Sequence, residues 1–414
     1  MGPDTQDRFH EDLGMTESMS HATPPPAPDK PAWGAVVSMM LGVFGLVTAE
    51  FLPASLLTPI ARDLGVSGGT AGQAVTATAA VALVTSLLVA TLTRRVDRRN
   101  VLLVFSVLLV VSNLLVAAAS NLTLLLLARV LLGVALGGFW TMAAATTMRL
   151  VPEALIPRAL SILFSGVSAA TIFAAPFGSF VGGVAGWRTV FVMAAGLGLL
   201  ALAVQFATLP RMAPDGLARL RTLIDVLRRP QVGLGMLAIL LVFGGHFAFF
   251  TYLRPLLETV AGVGVSGMAA ILLGFGIANF LGTMLGGFLV ERDMRMTLAL
   301  APLLMGAVGV ALATISGAPA ADAAAVALWG LAFGVVPVSW STWLTRAVPD
   351  EAESAGGLFV AVVQFAIAMG AAGGGAIFDA RGATGVFAAG GVALFLAALI
   401  IVTGVQSRTA VAAA

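Results

Sequence analysis

Long apolar runs separated by brief polar punctuation occupy this chain from about residue 35 to residue 404, and each run is close to one bilayer crossing in length. A helical span needs about 20 apolar residues. Twelve stretches meet that requirement, near 35–57, 71–93, 101–119, 123–146, 158–184, 189–208, 233–254, 267–290, 297–315, 322–344, 355–377 and 385–404. Ala, Leu, Val and Gly follow one another inside them without the two-residue alternation of a transmembrane barrel strand. In lipid the remaining solution is the helix, which satisfies its own backbone polar groups. The pattern predicts an all-α, polytopic membrane protein with twelve transmembrane helices and short connections.

Three segments break the pattern. Residues 1–33 are polar and Pro-rich, with Pro24-Pro25-Pro26 and Pro28 ahead of Trp33, and read as a disordered cytoplasmic tail; no apolar stretch with a small-residue cleavage site marks them as a secretory signal. A charged stretch at 210–232 reads as a cytoplasmic linker, and 406–414 as a short cytoplasmic tail. Composition supports the membrane assignment: 59% of the 414 residues are hydrophobic and 10% charged, against about 25% charged in soluble domains. The net charge of +2 carries no signal for nucleic acid, and the absence of cysteine excludes disulfides, thiolate metal sites and cysteine nucleophiles. No metal or cofactor is expected.

Cytoplasmic loops collect Lys and Arg. With the N-terminus inside, that side holds seventeen of the twenty-two basic residues, including Arg94, Arg95, Arg98 and Arg99 after the second stretch, while Arg62, Arg188, Arg254 and Arg381 fall outside. Both termini are therefore expected in the cytoplasm, and Arg129 is expected inside the fourth helix.

Shifting the chain by 196 or 197 positions superimposes one landmark on another, the mark of an internal repeat. Glu50-Phe51 falls on His246-Phe247, Asp97 on Asp293, Gly133 and Gly137 on Gly330 and Gly334, and Arg149 with Pro152 on Arg346 with Pro349. Gly178 falls on Gly375, and Gly186, Val190 and Phe191 on Gly382, Val386 and Phe387. The chain divides into pseudo-symmetric six-helix bundles, 34–209 and 233–405. Parallel repeats related by an axis along the membrane normal enclose a site near the midplane, and rocking of one half on the other gives alternating access.

Ionisable groups in hydrocarbon cost roughly 2.5–3.5 kcal/mol or more and mark functional positions. Glu50 lies in the first stretch, and His246 in the seventh is the one histidine outside the tail residues His10 and His21. Glu50 and Arg129 sit at matching depths from the outer ends of their helices, so an ion pair between them is expected, with proton and substrate competing for it; a static buried pair is the bland alternative. His246 has an unperturbed pKa near 6.5, which suits proton exchange, but substrate binding and a helix-packing contact remain open for it. A membrane enzyme would need a nucleophile and base or a metal cluster in the bilayer, and the chain offers neither. A channel or receptor would not require the two-half repeat.

The residues also resemble a known family. Two six-helix halves, Asp97-Arg98-Arg99 after the second helix, Arg129 within the fourth and a Gly/Pro-rich fifth helix are similar to the major facilitator superfamily in its drug/proton antiporter branch, over residues 34–405. The runs AEFLPASLLTP (49–59), DLGVSGGTAGQ (63–73), LGGFW (136–140), MRLVP (148–152), AAPFGSF (174–180), FAFFTYLRP (247–255) and WSTWLTR (340–346) resemble exporters of purine ribonucleosides. That resemblance implies a monomer in the bacterial inner membrane exporting nucleosides such as inosine or guanosine against proton entry. Export of sugars or drugs, and proton-coupled import, are the alternatives.

On this reading Asp97, Arg98 and Arg99 pair with a neighbouring helix terminus as a conformational latch, although Thr93 and Asn100 stand where the family pattern has glycine, and four arginines also simply obey the charge rule. Gly166, Pro176 and Gly178 let the fifth helix bend, or merely pack. A neutral nucleoside would take an aromatic plane and a few amides: Trp140, Phe139, Phe250 and Trp340 for the base, with Asn279, Gln364 and His246 for polar edges. Trp340 and Trp343 also fit an interfacial aromatic belt.

Overall fold

The computed structural model describes residues 30–213, 225–229, 231–348 and 352–405. The expected N-terminal tail up to residue 29, the linker core 214–224 and the C-terminal tail lie outside the described residues, as do Pro349 and Asp350. Among the described residues eleven helices are long and apolar enough to cross a membrane. They are α1 (Trp33–Ser55), α2 (Gly68–Leu92), α3 (Arg98–Ala117), α4 (Leu122–Met148), α5 (Ile156–Ala185), α6 (Trp187–Thr208), α7 (Val232–Thr259), α8 (Val265–Arg292), α9 (Met294–Thr314), α10 (Pro319–Ala347) and the long Ala352–Gly404. The last is two crossings, α11 (352–381) and α12 (383–404), divided at Gly382. A short helix, Leu57–Leu64, follows α1.

Polar punctuation becomes helix caps. Asp97, Asn121 and Asp293 each accept a backbone N–H at the start of α3, α4 and α9, and Ser67 does so for α2, satisfying donors that a first turn leaves unpaired. The loops expected after the fifth and eleventh stretches shrink to single residues. Gly186 (φ 86°) and Gly382 (φ 71°) turn the chain in the left-handed region, where a Cβ is strained; they occupy equivalent places in the repeat.

Within the first half α1 packs on α5, α2 on α4, and α3 on α6; in the second, α8 packs on α10 and α7 on the α11–α12 segment. One apolar core is built wholly from residues 35–212 and another largely from residues beyond 225. A third lies between them, joining Leu52, Ala71 and Ala74 to Ala248, Tyr252 and Val386. Large apolar side chains stand exposed on α3, α6, α9 and α12, among them Val104, Leu199, Phe206, Leu300 and Leu399. Soluble proteins avoid such continuous apolar surface, so these faces belong against lipid.

Two seams join the halves. Along α2 and α11, a side chain at Gly69 would run into the Gly375 carbonyl and Asp379. Along α5 and α8, one at Gly276 would meet the Ile172 backbone, with Cα 2.7 Å and carbonyl oxygen 3.1 Å away. Pro176 has no N–H to return to that Ile172 carbonyl, so the proline of α5 serves the seam. The helix continues unbroken from Ile156 to Ala185, with Gly166 and Gly178 seated on α1.

Hydrogen bonds with side-chain partners join the halves at the end away from Trp33. The Asp379 carboxylate accepts from Ser67 Oγ (2.9 Å) and from Gly69 N–H (3.0 Å) at the start of α2. Arg254 Nη1 donates to the Ser55 carbonyl at 2.6 Å, held by Glu258 at 2.7 Å. Arg254 is thus buried in the far closure rather than carried on an outer loop.

At the near end the Asp97 loop meets the end of a neighbouring helix, α6. One carboxylate oxygen caps its own helix, accepting from Arg99 N–H at 2.8 Å, and the other accepts from Met212 N–H at 3.1 Å. Arg99 donates to the Phe206 carbonyl at 2.7 Å and Arg98 to Thr93 at 3.1 Å. These bonds tie the start of α3 to the end of α6 and to the first residues of the linker.

Candidate functional site

Pro53 explains where Arg129 goes. Without an N–H, Pro53 leaves the Ala49 carbonyl, four residues earlier in α1, without its helical donor. Arg129 Nη1 reaches across from α4 and donates to that carbonyl at 2.8 Å, while Nε donates to the Ala74 carbonyl of α2 at 3.2 Å. The guanidinium is 1% exposed and ties three helices together. Its charge acts on the Glu50 carboxylate nearby, but no ion pair joins the two among the described residues. The direct pair expected from their matched depths is not formed in this conformation: backbone carbonyls take Nη1 and Nε, and Nη2 has no partner.

Glu50, 8% exposed, points from α1 toward the second half, where the buried Gln364 side chain of α11 lies beside its carboxylate. Several buried polar atoms here make no hydrogen bond: Glu50 Oε1, Gln364 Oε1, Arg129 Nη2 and Thr48 Oγ1. Native interiors seldom leave such groups unpaired. This concentration, on helices of both halves, has the chemistry of a site that takes a polar guest or a proton.

Opposite it, α7 presents His246 inside an aromatic box. The imidazole stacks on Phe333 (centroids 3.2 Å, planes 5° apart), with Phe250 and Phe275 at 6.0 and 6.2 Å. Its Nδ1 accepts from the Trp329 indole N–H at 3.1 Å. Phe51, next to Glu50, lies 5.2 Å from Phe250 and 6.4 Å from Phe247. Phe51 and Phe247 are equivalents in the repeat. Residues related by a two-fold can touch only beside its axis, so the acid and the histidine flank the centre of the molecule.

The other candidates separate. Trp140 is half-buried on α4 and stacks with the exposed Phe164 of α5 (6.4 Å, 22°). Phe250 belongs to the aromatic box. Phe139 is buried in the first half's core, where its ring lies under Gly42. Trp340 is buried against Trp343 (5.4 Å) in the second half's core, so neither Phe139 nor Trp340 offers a free ring face in this conformation. Asn279 donates to the Gly330 carbonyl at 3.3 Å, joining α8 to α10.

With twelve crossings and the geometry at their centre described, comparison with known proteins decides the family. The model of the Major Facilitator Superfamily matches residues 39–371. The chain belongs to the major facilitator superfamily. It is 46% identical over 378 residues to the purine ribonucleoside efflux pump NepI of Salmonella typhimurium and to that of Salmonella typhi, covering 91% of this chain and 95% of each relative. The purine ribonucleoside efflux pump NepI of Salmonella paratyphi C matches over the same extent.

As a major facilitator protein the chain is a multi-pass membrane transporter. Phe275, Phe333, Trp329 and Asp379 lay outside the residues singled out by sequence. Trp329 fell within an ordinary apolar run and carried no distinguishing pattern; only its partner makes it polar chemistry. Asp379 stands near the end of a stretch, where an acid reads as interfacial, and its partners are more than 300 residues away.

Proposed function

We propose that this protein is a secondary active exporter of purine ribonucleosides, inosine or guanosine in type, working by proton antiport and alternating access. The observation that carries the reading is the paired central site, in which Glu50, Arg129 and Gln364 face the aromatic box of His246 beside the axis relating the two halves. Aromatic faces suit a purine, and unpaired amide and carboxylate atoms suit ribose hydroxyls and base edges. The 46% identity to pumps named for purine ribonucleoside efflux supports the same substrate class.

Glu50 is the proton carrier in this scheme. Arg129 attracts the ionised carboxylate and releases the protonated one, so proton arrival changes which packing of the halves is favoured. A conformation closed at the end away from Trp33 accords with an inward-facing state, loaded from the cytoplasm. The units are the bundles 34–209 and 233–405, joined by the 210–232 linker, in a monomer in the bacterial cytoplasmic membrane with both termini inside.

The test is uptake of radiolabelled inosine into proteoliposomes with the cytoplasmic face outward and an acidic lumen. Accumulation above that of empty vesicles, collapsing when a protonophore is added, is the expected result. Correctly inserted protein that accumulates no nucleoside under the gradient would overturn the proposal.

A further inference from the structure

The single polar atom of Trp329 is committed to His246. An indole nitrogen carries a hydrogen and offers no lone pair, so it only donates. Its 3.1 Å contact therefore makes Nδ1 of His246 the acceptor and leaves the ring proton on Nε2. Both rings are buried, and the stack on Phe333 fixes the plane in which Nε2 points. No hydrogen bond to Nε2 occurs among the described residues. A second proton on the imidazole would have to displace the indole. The repeat places Leu132 or Gly133 opposite Trp329, so the first half has no such donor at the corresponding place.

We propose that Trp329 is a positioning residue that sets His246 as a neutral, fixed hydrogen-bond donor, directing its Nε2–H at an acceptor on the transported purine ribonucleoside. The inference rests on the nucleoside reading above and deepens it by dividing the labour between equivalent positions. Glu50 exchanges the proton, and His246 reads the substrate. Trp329 packs on Phe249 and Phe275, and its one side-chain hydrogen bond goes to the histidine.

The experiment uses the full chain with His10→Gln and His21→Gln, so that His246 is the one remaining histidine, labelled with 15N and read by solid-state NMR in proteoliposomes. The expected spectrum shows one tautomer, Nε2–H with Nδ1 as acceptor, and saturating inosine shifts Nε2 while leaving Nδ1 in place. Trp329→Phe keeps an apolar ring but no donor; a mixture of tautomers should appear, and the KM for inosine should rise about tenfold with maximal counterflow little changed, as loss of one buried hydrogen bond implies. His246→Gln, which retains a donor, should keep more transport than His246→Leu.

An imidazolium or an Nδ1–H tautomer at pH 7 in the Trp329 protein would overturn the proposal, and that spectrum decides the tautomer even if Trp329→Phe does not fold. So would a histidine spectrum that Trp329→Phe leaves unchanged. If inosine is transported but does not move the Nε2 resonance, the substrate contact is wrong. If inosine is not transported at all, the nucleoside reading has failed while the tautomer result stands.

Discussion

Glu50 is the residue on which the proton step turns. Glu50→Gln keeps the shape and removes the titrating oxygen, so gradient-driven inosine accumulation should fall at least about tenfold, equivalent to about 1.4 kcal/mol. Exchange of labelled for unlabelled inosine, which needs no net proton movement, should persist; equal loss of both would move the residue from coupling to binding. Trp140 poses a separate question, because it stacks only on the exposed Phe164. Trp140→Phe should weaken nucleoside binding less than Trp140→Ala, as measured by inosine KM, and equal effects would remove stacking from the account.

At the scale of elements, the glycine seams decide whether the halves close. Gly69→Val would drive a branched side chain into the Gly375 carbonyl and Asp379, an overpacking that costs roughly 1–3 kcal/mol. The expected outcome is a far side that opens more readily, seen as faster thiol labelling of Ser67→Cys, since the chain has no cysteine of its own. Most of the helices were legible because length and unbroken hydrophobicity are strong signals in lipid. The repeat alone places Glu50 and His246 in equivalent positions. What could not be read was side-chain destination: Arg129 was expected on Glu50 because opposite charges attract, yet Pro53 had prepared a carbonyl for it. Asp97 likewise divides its carboxylate between a cap on its own helix and the Met212 N–H, a backbone partner that no side-chain pattern marks.

The whole molecule is closed at one end by bonds that cross the halves. Bridging Ser67→Cys and Asp379→Cys with a short bis-methanethiosulfonate, which forms a disulfide at each thiol and releases sulfinate, should arrest inosine transport, and reduction of those disulfides should restore it; transport that continues through the bridge would show that this end need not open. Fold class was plain from the apolar pattern, but the closed end was not, because the Ser67 and Asp379 partnership spans 312 residues with no shared motif. The corner at Gly382 adds a mechanical consequence. Asp379 stands three residues before a one-residue turn into α12, whose Val392, Leu396, Leu399 and Val402 face outward. The acyl chains that grip α12 therefore pull on the closure through a stiff lever. Bilayer thickness enters as a load, since mismatch is relieved by tilting helices. Reconstitution in lipids of increasing chain length should change the rate of inosine transport, while Asp379→Asn, with the catch weakened, should respond less.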